Sequence, residues 1–194
     1  MIRLGITGGS GCGKTTVSEY LRKVGIPVID ADQVAREVVM ARQPALEKIR
    51  EEFGGGVILP DGNLDRQALG NLVFRDEKKL EKLNQITHPY IKDRIDEWIR
   101  MQTGMAVGID AAALLESGIE YDCLLAVLAD AGLRRERIER RDKLTEEQAT
   151  DRIRAQRPDS YYAQHADFII YNNGKQKELE EAVNRVIEKL GSMT

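Results

Sequence analysis

A glycine-rich segment near the start of the 194-residue chain contains residues suited to binding phosphate. Residues 8–15 read Gly-Gly-Ser-Gly-Cys-Gly-Lys-Thr, the spacing G-x-x-x-x-G-K-T. Glycines let successive backbone N–H groups turn inward toward an anion, and a helix that begins there adds its own free N–H groups. Lys14 places a cation on the β- and γ-phosphates, and the Thr15 hydroxyl is a Mg²⁺ ligand. The predicted ATP-binding residues are Gly9, Ser10, Gly11, Cys12, Gly13, Lys14, Thr15 and Thr16.

The sequence on either side of this loop fits the same interpretation. A short, mostly apolar stretch at residues 2–7 predicts a strand, and Val17, Tyr20 and Leu21 form an apolar helical face after the loop. Strand, glycine loop and helix is the context that the motif requires. A glycine-rich turn without a ligand is the alternative.

Aspartates follow two further apolar stretches. Residues 105–110 predict a strand that ends in Asp110, where a carboxylate helps to hold Mg²⁺ or its water shell. Residues 27–30 predict another buried strand, followed closely by Asp32. Ligands of open parallel sheets bind at the carboxyl ends of the strands. We therefore expect Asp32 to act as a general base that accepts the proton of an acceptor hydroxyl.

Asp32 also has a structural alternative. It precedes a predicted helix over residues 33–40, and aspartate is a favourable N-cap. Asp30 and Asp32 are expected to lie on the same side of an extended segment. One of them could then act as the cap and the other as the base.

The elements that must position these residues alternate between strands and helices. Further buried strands are predicted at 123–128 and 168–171, with an amphipathic helix over 177–190. This pattern predicts an α/β fold with a three-layer core and a parallel, doubly wound sheet. We place the nucleotide-binding core at residues 1–32 and 105–194, and a helical subdomain at 33–104.

The subdomain at residues 33–104 is predicted to be almost entirely helical. Pro44 begins a helix that ends at Phe53, and Asp65 is a suitable N-cap for a helix over residues 66–74. Residues 76–87 predict a further helix. Pro89 is expected to begin a new helix that continues through residue 101.

Eight arginines fall between residues 134 and 157, in a segment predicted to form two helices. The second helix begins with a capping box at Thr145. Positioned arginines stabilise the charge that spreads over oxygens during phosphoryl transfer, so residues 133–160 are predicted to form a lid over the nucleotide. The alternative is a solvated face on which arginines pair with neighbouring carboxylates.

Composition excludes several classes of function. The net charge of −3 does not favour binding to nucleic acid, and we expect no such partner. The longest apolar runs fall short of the roughly 18 residues of a membrane span, and the chain begins in a predicted strand instead of a signal peptide. Two widely separated cysteines fit a reducing compartment. We therefore expect a cytoplasmic protein that is a monomer or a weak homo-oligomer.

Cys12 lies inside the glycine loop. Nearby N–H groups, the helix N-terminus and Lys14 should favour its thiolate, so one hypothesis is an alkylation-sensitive site that bound nucleotide protects. The alternative is a small packing residue. Cys123 lies in a predicted buried strand and is expected to react slowly.

Motifs of other phosphate-loop classes are missing from the sequence. It has no Asn-Lys-x-Asp guanine reader and no His-Arg-Asp set of the protein kinases. Among the phosphate-loop classes considered, a kinase that acts on a small molecule is the one left.

The motifs, taken in order, resemble those of the dephospho-CoA kinase family over essentially the whole chain. The most discriminating are Asp-Ala-Asp at 30–32 and His-Pro at 88–89. The other matching segments are residues 6–15, Leu-Leu-Glu-Ser-Gly at 114–118, Arg-Arg-Asp at 140–142, Arg152 with Gln156, and residues 166–174.

The resemblance implies a transferase of coenzyme A biosynthesis that uses ATP and Mg²⁺ to phosphorylate the ribose 3′-hydroxyl of dephospho-CoA. A kinase for another small alcohol or nucleotide acceptor, and a non-catalytic nucleotide-binding module, are the alternatives. The family has Pro-Leu-Leu-Phe where this chain has Ala-Ala-Leu-Leu at 112–115, a departure that bears on acceptor affinity more than on the reaction.

Site residues also follow from the resemblance. It implies Asp32, Lys14 and Arg141 as catalytic residues, and Asn172 beside the adenine, although Asn172 is equally a turn residue. His88 is implied to contact the acceptor, with a helix-kink residue before Pro89 as the alternative. The implied acceptor residues are Asp32, His88, Glu116 and Gly118, those for ATP include Arg141 and Asn172, and those for the metal are Thr15 and Asp110.

Overall fold

The computed structural model describes residues 1–193 and contains one five-stranded sheet in that range. All neighbouring strands are parallel, in the order β2-β3-β1-β4-β5. Leu4 of the central strand is in register with Gly108 on one side and Cys123 on the other. The strands are β1 (Ile2–Thr7), β2 (Val28–Asp30), β3 (Ala106–Asp110), β4 (Cys123–Leu128) and β5 (Phe168–Tyr171).

α-Helices lie in three of the four connections between consecutive strands, and the connection from β3 to β4 contains only a short 3₁₀ turn. Short 3₁₀ turns occur at Gly55–Val57 and Leu114–Glu116. Between residues 1 and 193 no helix has both the length and the hydropathy to cross a membrane. The α-helices are α1 (Lys14–Lys23), α2 (Ala31–Glu37), α3 (Pro44–Phe53), α4 (Arg66–Val73), α5 (Glu77–Arg100), α6 (Ala131–Asp142), α7 (Glu146–Arg154), α8 (Asp159–His165) and α9 (Gln176–Gly191).

Both faces of the sheet are buried under helices. On one face, Leu125 and Val127 belong to a core cluster with residues of α1 and α9. On the other face, Ala126 and Leu128 pack with Tyr162 of α8. A strand covered on both sides reads as a continuous apolar run, which is why β4 was recognisable in the sequence. The predicted α/β fold with a parallel, doubly wound sheet is confirmed.

The chain divides into two compact units. The core unit contains Met1–Asp30 and the chain from Gln102 onward, and the insert unit is Ala31–Met101. In the insert, α2, α3 and α4 all contact α5, the longest helix. Ile95 and Ile99 of α5 are buried, so the insert has apolar packing of its own.

Two helix caps follow the sequence predictions. The Asp65 carboxylate accepts a hydrogen bond from the backbone N–H of Ala68 at 2.9 Å, as expected for the N-cap of α4. Thr145 and Gln148 form the predicted capping box at the start of α7. Both caps depend on contacts within four residues, which explains why the local sequence was sufficient.

The predicted start of α2 is wrong. The helix begins at Ala31, directly after β2, and ends at Glu37 instead of residue 40. Asp32 is therefore the second helical residue. It is not an N-cap, and it does not share an extended segment with Asp30. The sequence suggested a cap because Asp is common there, but Ala31 is a strong helix former that continues the chain into the helix.

The predicted new helix at Pro89 is also wrong. Pro89 lies inside α5, which continues without a break from Glu77 to Arg100. Proline removes one backbone hydrogen bond from a helix interior and crowds the preceding turn. A long helix that packs against three others retains enough stabilising contacts to include that defect.

Candidate active site

The phosphate loop lies between β1 and α1, at the carboxyl edge of the sheet. Gly11 and Gly13 have φ values of 77° and 97°, in the left-handed region that favours glycine. The first helical bond of α1 joins Val17 N–H to the Gly13 carbonyl, so the N–H groups at the start of the helix have no partner in the preceding turn. The Lys14 ammonium donates to the Gly8 carbonyl at 2.8 Å, which holds its positive charge against the loop.

Asn172 supports the loop from below. Its side-chain amide donates to the Cys12 carbonyl at 2.9 Å, and the residue is 8% exposed. A Cβ atom at Gly13 would overlap the Asn172 amide nitrogen. The structure thus places Asn172, predicted to lie beside the adenine, directly against the phosphate loop.

Two arginines of α6 also contact the loop through its backbone carbonyl groups. Arg137 donates to the Gly11 carbonyl at 3.2 Å and to the Asn172 carbonyl at 2.9 Å. Arg134 donates to the Ser10 carbonyl at 2.9 Å. The lid, residues 133–160, is therefore attached to the phosphate loop at its base.

Asp110 lies at the end of β3, where it faces α1. It accepts a hydrogen bond of 2.7 Å from the hydroxyl of Ser18, which is one helical turn after Thr15. In register, Asp110 is the partner of Asp30 at the end of β2. Two carboxylates and two hydroxyl-bearing residues of α1 thus belong to neighbouring elements at the edge of the sheet that contains the phosphate loop.

Oxygen ligands of this kind suit Mg²⁺. The described residues contain no group of three or more His, Cys, Asp or Glu side chains arranged as a metal cage. Mg²⁺ that travels with a nucleotide keeps several waters and binds one or two carboxylates together with substrate phosphates, so it does not need such a cage. The donor set at Thr15 and Asp110 therefore fits the ion.

Cys12 contradicts the hypothesis of an activated thiolate. It is 1% exposed, and burial raises the pKa of its thiol despite the opposing effect of the Lys14 charge. Burial and the neighbouring Asp167 raise the pKa of Cys123 to about 11. The sequence shows the helix terminus and the lysine near Cys12, but it does not show the desolvation that outweighs them.

Two predicted acceptor residues follow β3. Glu116 ends the 3₁₀ turn Leu114–Glu116, and its carboxylate lies 3.8 Å from the guanidinium of Arg157. Arg157 in turn stacks on the ring of Tyr161 at 5.1 Å. Gly118 has a φ of 69° and turns the chain toward β4. The structure therefore brings Glu116 to the end of the lid.

Arg141 lies in the last turn of α6, with its side chain 57% exposed. It forms a two-pronged contact with Asp142, whose carboxylate also accepts from Arg152 of α7. The pKa of Asp142 is lowered, first by its hydrogen bond from Arg141. Arg141 follows Arg137 by four residues, and so belongs to the helical stripe that contacts the phosphate loop.

Asp32 and His88 belong to the insert unit. Asp32 is exposed in the first turn of α2, and His88 is half-buried on α5. An open cavity of about 450 Å³ in the insert is lined by one stripe of α5 that includes Tyr90, Arg94 and Glu97. Because His88 is two residues before Tyr90, it points away from that stripe. His88, implied by the resemblance to contact the acceptor, is therefore not among the residues that line this cavity.

Sequence reasoning missed several residues of the site. Arg134 and Arg137 were part of a charge run in which no single arginine stood out, and their spacing of three residues was the available signal. Gln156 was noted only as a matching residue. Ser18 had no signal beyond its place one turn after Thr15.

A five-stranded parallel sheet with a glycine loop, a lysine at the end of that loop and an aspartate on the neighbouring strand defines a phosphate-loop nucleotide-binding protein. Residues 2–178 match the family model described as dephospho-CoA kinase. The chain belongs to the dephospho-CoA kinase family, and it is a kinase.

Two proteins named dephospho-CoA kinase and one further crystal structure resemble the chain over nearly its full length. A dephospho-CoA kinase of Thermobifida fusca is 40% identical over 193 residues, which cover 98% of this chain and 96% of that protein. A crystal structure of TT1252 from Thermus thermophilus superposes with a TM-score of 0.84 at 34% identity, covering 97% of both chains. Dephospho-CoA kinase from Campylobacter jejuni gives a TM-score of 0.67 at 26% identity, covering 97% of this chain and 96% of that one.

Proposed function

We propose that this protein transfers the γ-phosphoryl group of ATP to the ribose 3′-hydroxyl of dephospho-CoA, giving coenzyme A and ADP in the last step of coenzyme A biosynthesis. The observation that carries this proposal is the family match across residues 2–178 on a chain whose phosphate loop is intact. Homologues of the same name cover almost the whole sequence.

The phosphate loop binds the β- and γ-phosphates of ATP. Backbone N–H groups of the loop and of the first turn of α1 donate to phosphate oxygens. Lys14 leaves the Gly8 carbonyl and moves its ammonium onto the phosphate charge. Asn172 supports the loop from below, near the nucleotide. The residues of this proposed site are Gly9, Ser10, Gly11, Cys12, Gly13, Lys14, Thr15 and Thr16. Ser10 contributes by shaping the loop, because its own polar groups bond to Gln156 and Arg134.

Thr15 and Asp110 hold Mg²⁺ when it is bound with the nucleotide. The ion neutralises charge that develops between the β- and γ-oxygens. Ser18 orients the Asp110 carboxylate through its 2.7 Å hydrogen bond. Removal of the ion with EDTA is expected to abolish turnover.

Asp32 accepts the proton of the 3′-hydroxyl while the hydroxyl oxygen attacks the γ-phosphorus of ATP. Two features support this role. Asp32 follows directly on the carboxyl end of β2, the end of a parallel strand at which ligands bind, and its side chain is exposed. The O–P bond to the acceptor forms, the bond to the ADP oxygen breaks, and the proton goes to the Asp32 carboxylate.

The acceptor and the lid complete the site. His88, Glu116 and Gly118 contact dephospho-CoA in this proposal. Arg141 leaves Asp142 and donates to the phosphates as transfer proceeds, because Arg137 on the same helical stripe already contacts the loop.

We propose a cytoplasmic protein that is a monomer or a weak homo-oligomer, with no nucleic-acid partner. The net charge of −3 and two free cysteines support this view. Light scattering at two protein concentrations measures the oligomeric state, and cell fractionation measures the location.

The function is tested by ADP release. Purified protein with Mg-ATP is assayed separately with dephospho-CoA, AMP, adenosine and pantetheine. Of the four acceptors, we expect only dephospho-CoA to give rapid ADP release, together with formation of coenzyme A. Release that dephospho-CoA does not accelerate would contradict the proposal.

A further inference from the structure

Ser10 of the phosphate loop is held by side chains from both ends of the lid. The Gln156 amide accepts from the Ser10 backbone N–H at 2.9 Å and donates to the Ser10 hydroxyl at 2.8 Å. Arg134 donates to the Ser10 backbone carbonyl at 2.9 Å and to the side-chain amide oxygen of Gln156 at 3.0 Å. Every polar group of Ser10 therefore contacts Arg134 or Gln156.

Arg134 itself cannot move freely. It is 4% exposed, and its guanidinium pairs with Asp159 of α8 at 2.8 Å. A buried charge is tolerated when it is paired and its remaining hydrogen-bonding groups are satisfied, as they are here by Ser10 and Gln156. The guanidinium is thus a fixed point between the lid and the phosphate loop.

Two glycines of the loop, Gly9 and Gly11, leave room for Arg134. Gly9 does not have a positive φ, so its backbone conformation does not require glycine. The lack of space around Gly9 does require glycine, because a Cβ atom there would overlap the end of the Arg134 side chain. At Gly11, a Cβ atom would lie 2.5 Å from the Arg134 backbone carbonyl. Loop and helix therefore fit together only because both positions lack a side chain.

From this geometry we infer that Arg134 and Gln156 are positioning residues for ATP. By fixing both backbone groups of Ser10, they keep the loop in the conformation that binds phosphate. They also tie the two ends of the lid to that loop, since Arg134 is in the first turn of α6 and Gln156 follows α7. The tests that measure KM rest on the proposed kinase function, whereas the tests that measure MgADP binding do not.

The first test compares Arg134→Met with Arg135→Met. Arg135 is the next residue of α6; it is half-buried and pairs with Glu139 and Glu146 instead of with the phosphate loop. We expect Arg134→Met to raise the Kd for MgADP and the KM for ATP about tenfold or more, because it removes charged hydrogen bonds. The KM for dephospho-CoA is expected to change less than about threefold, and Arg135→Met to change all three constants less than about twofold.

A double-mutant cycle gives the sharper test. Gly9→Ala alone is expected to raise the Kd for MgADP about tenfold, because the new methyl group displaces the Arg134 guanidinium. Met is shorter than Arg, so in the Arg134→Met background the same change is expected to add less than about twofold. A merely structural role of Arg134 in lid stability would not produce this loss of effect.

The outcomes separate cleanly. Additive effects of Gly9→Ala and Arg134→Met on MgADP binding would overturn the inference, as would equal weakening of ATP and dephospho-CoA. If Arg134→Met does not fold, Gln156→Ala takes its place, since it removes two bonds to Ser10 and leaves the Arg134–Asp159 pair. MgADP binding tests the positioning role even if dephospho-CoA is not the acceptor, so the two proposals fail independently.

Discussion

At the scale of single residues, the first prediction concerns Asp32, the proposed general base. Its position as the second residue of α2 removes the capping explanation, and its carboxylate is exposed. We expect Asp32→Asn to lower kcat by about 10²–10⁴-fold, the usual contribution of a general base. The KM for ATP should hardly change. Steady-state kinetics with dephospho-CoA measure both constants.

Asp76→Asn is the matched control for Asp32→Asn. Asp76 is an aspartate of the insert that does act as an N-cap: at the start of α5 it accepts hydrogen bonds from the N–H groups of Lys78 and Lys79. Asn is a comparable cap, so this variant should keep both stability and kcat. A normal kcat in Asp32→Asn would show that another group takes the proton.

The two thiols give a second prediction at this scale. Both are buried and both have a raised pKa, so the thiolate fraction near neutral pH is small. We expect iodoacetamide to label the native protein slowly at pH 8 and the unfolded protein rapidly. For Cys123 the rate should keep rising as pH approaches about 11, because more thiolate forms up to that pKa.

Single variants assign the labelling. Cys12→Ser and Cys123→Ser each leave one thiol, and mass spectrometry follows the adduct. Fast, ATP-protected labelling of Cys12 in the native protein would mean that its thiol is less buried than the structure shows.

At the scale of elements, helix α6 presents arginines to different surroundings. Arg141→Ala should lower kcat/KM about 10–100-fold if its charged hydrogen bonds reach the phosphates during transfer. Arg135→Ala, on another face of the same helix, should change kcat/KM less than about twofold, because exposed ion pairs contribute little. Circular dichroism of both variants checks that the helix remains. Equal losses from the two changes would contradict the assignment of Arg141.

The elements also show how far sequence reasoning reaches. The phosphate loop, strand β4 and the caps at Asp65 and Thr145 were predictable, because each depends on a local pattern. Arg134 was not, because its burial depends on Asp159 and on Ser10, which is 124 residues away in sequence. Pro89 wrongly suggested a helix start for a similar reason. Helix propensity is a local property, whereas the contacts that stabilise α5 come from distant parts of the sequence.

At the scale of the whole molecule, nucleotide binding should stabilise the fold. MgADP at 100 times its Kd adds about 2.7 kcal/mol to the unfolding free energy. In a chain of this size each kcal/mol raises Tm by roughly 2–4 °C. A thermal melt with and without MgADP measures the shift. Absence of a shift in the wild-type protein would contradict the nucleotide site.

Lys14→Ala should reduce that shift at the same MgADP concentration, because it removes the cation that contacts the Gly8 carbonyl in the loop. Lys23→Ala is its control, since Lys23 lies in the last turn of the same helix. A Lys14→Ala protein that responds like Lys23→Ala would mean that the lysine contributes nothing to binding.

The insert occupies a place in the topology that has an evolutionary consequence. It connects β2 to β3, which are parallel neighbours, and any such pair needs a crossover of a dozen or more residues. Each doubling of a flexible connection costs only about 0.6 kcal/mol in closure entropy. A crossover that has become a helical unit with its own buried residues can therefore accumulate substitutions, insertions and new acceptor preferences while the nucleotide core keeps its sequence constraints. Apart from the proposed functional residues Asp32 and His88, lineages of such kinases should diverge fastest between residues 31 and 101.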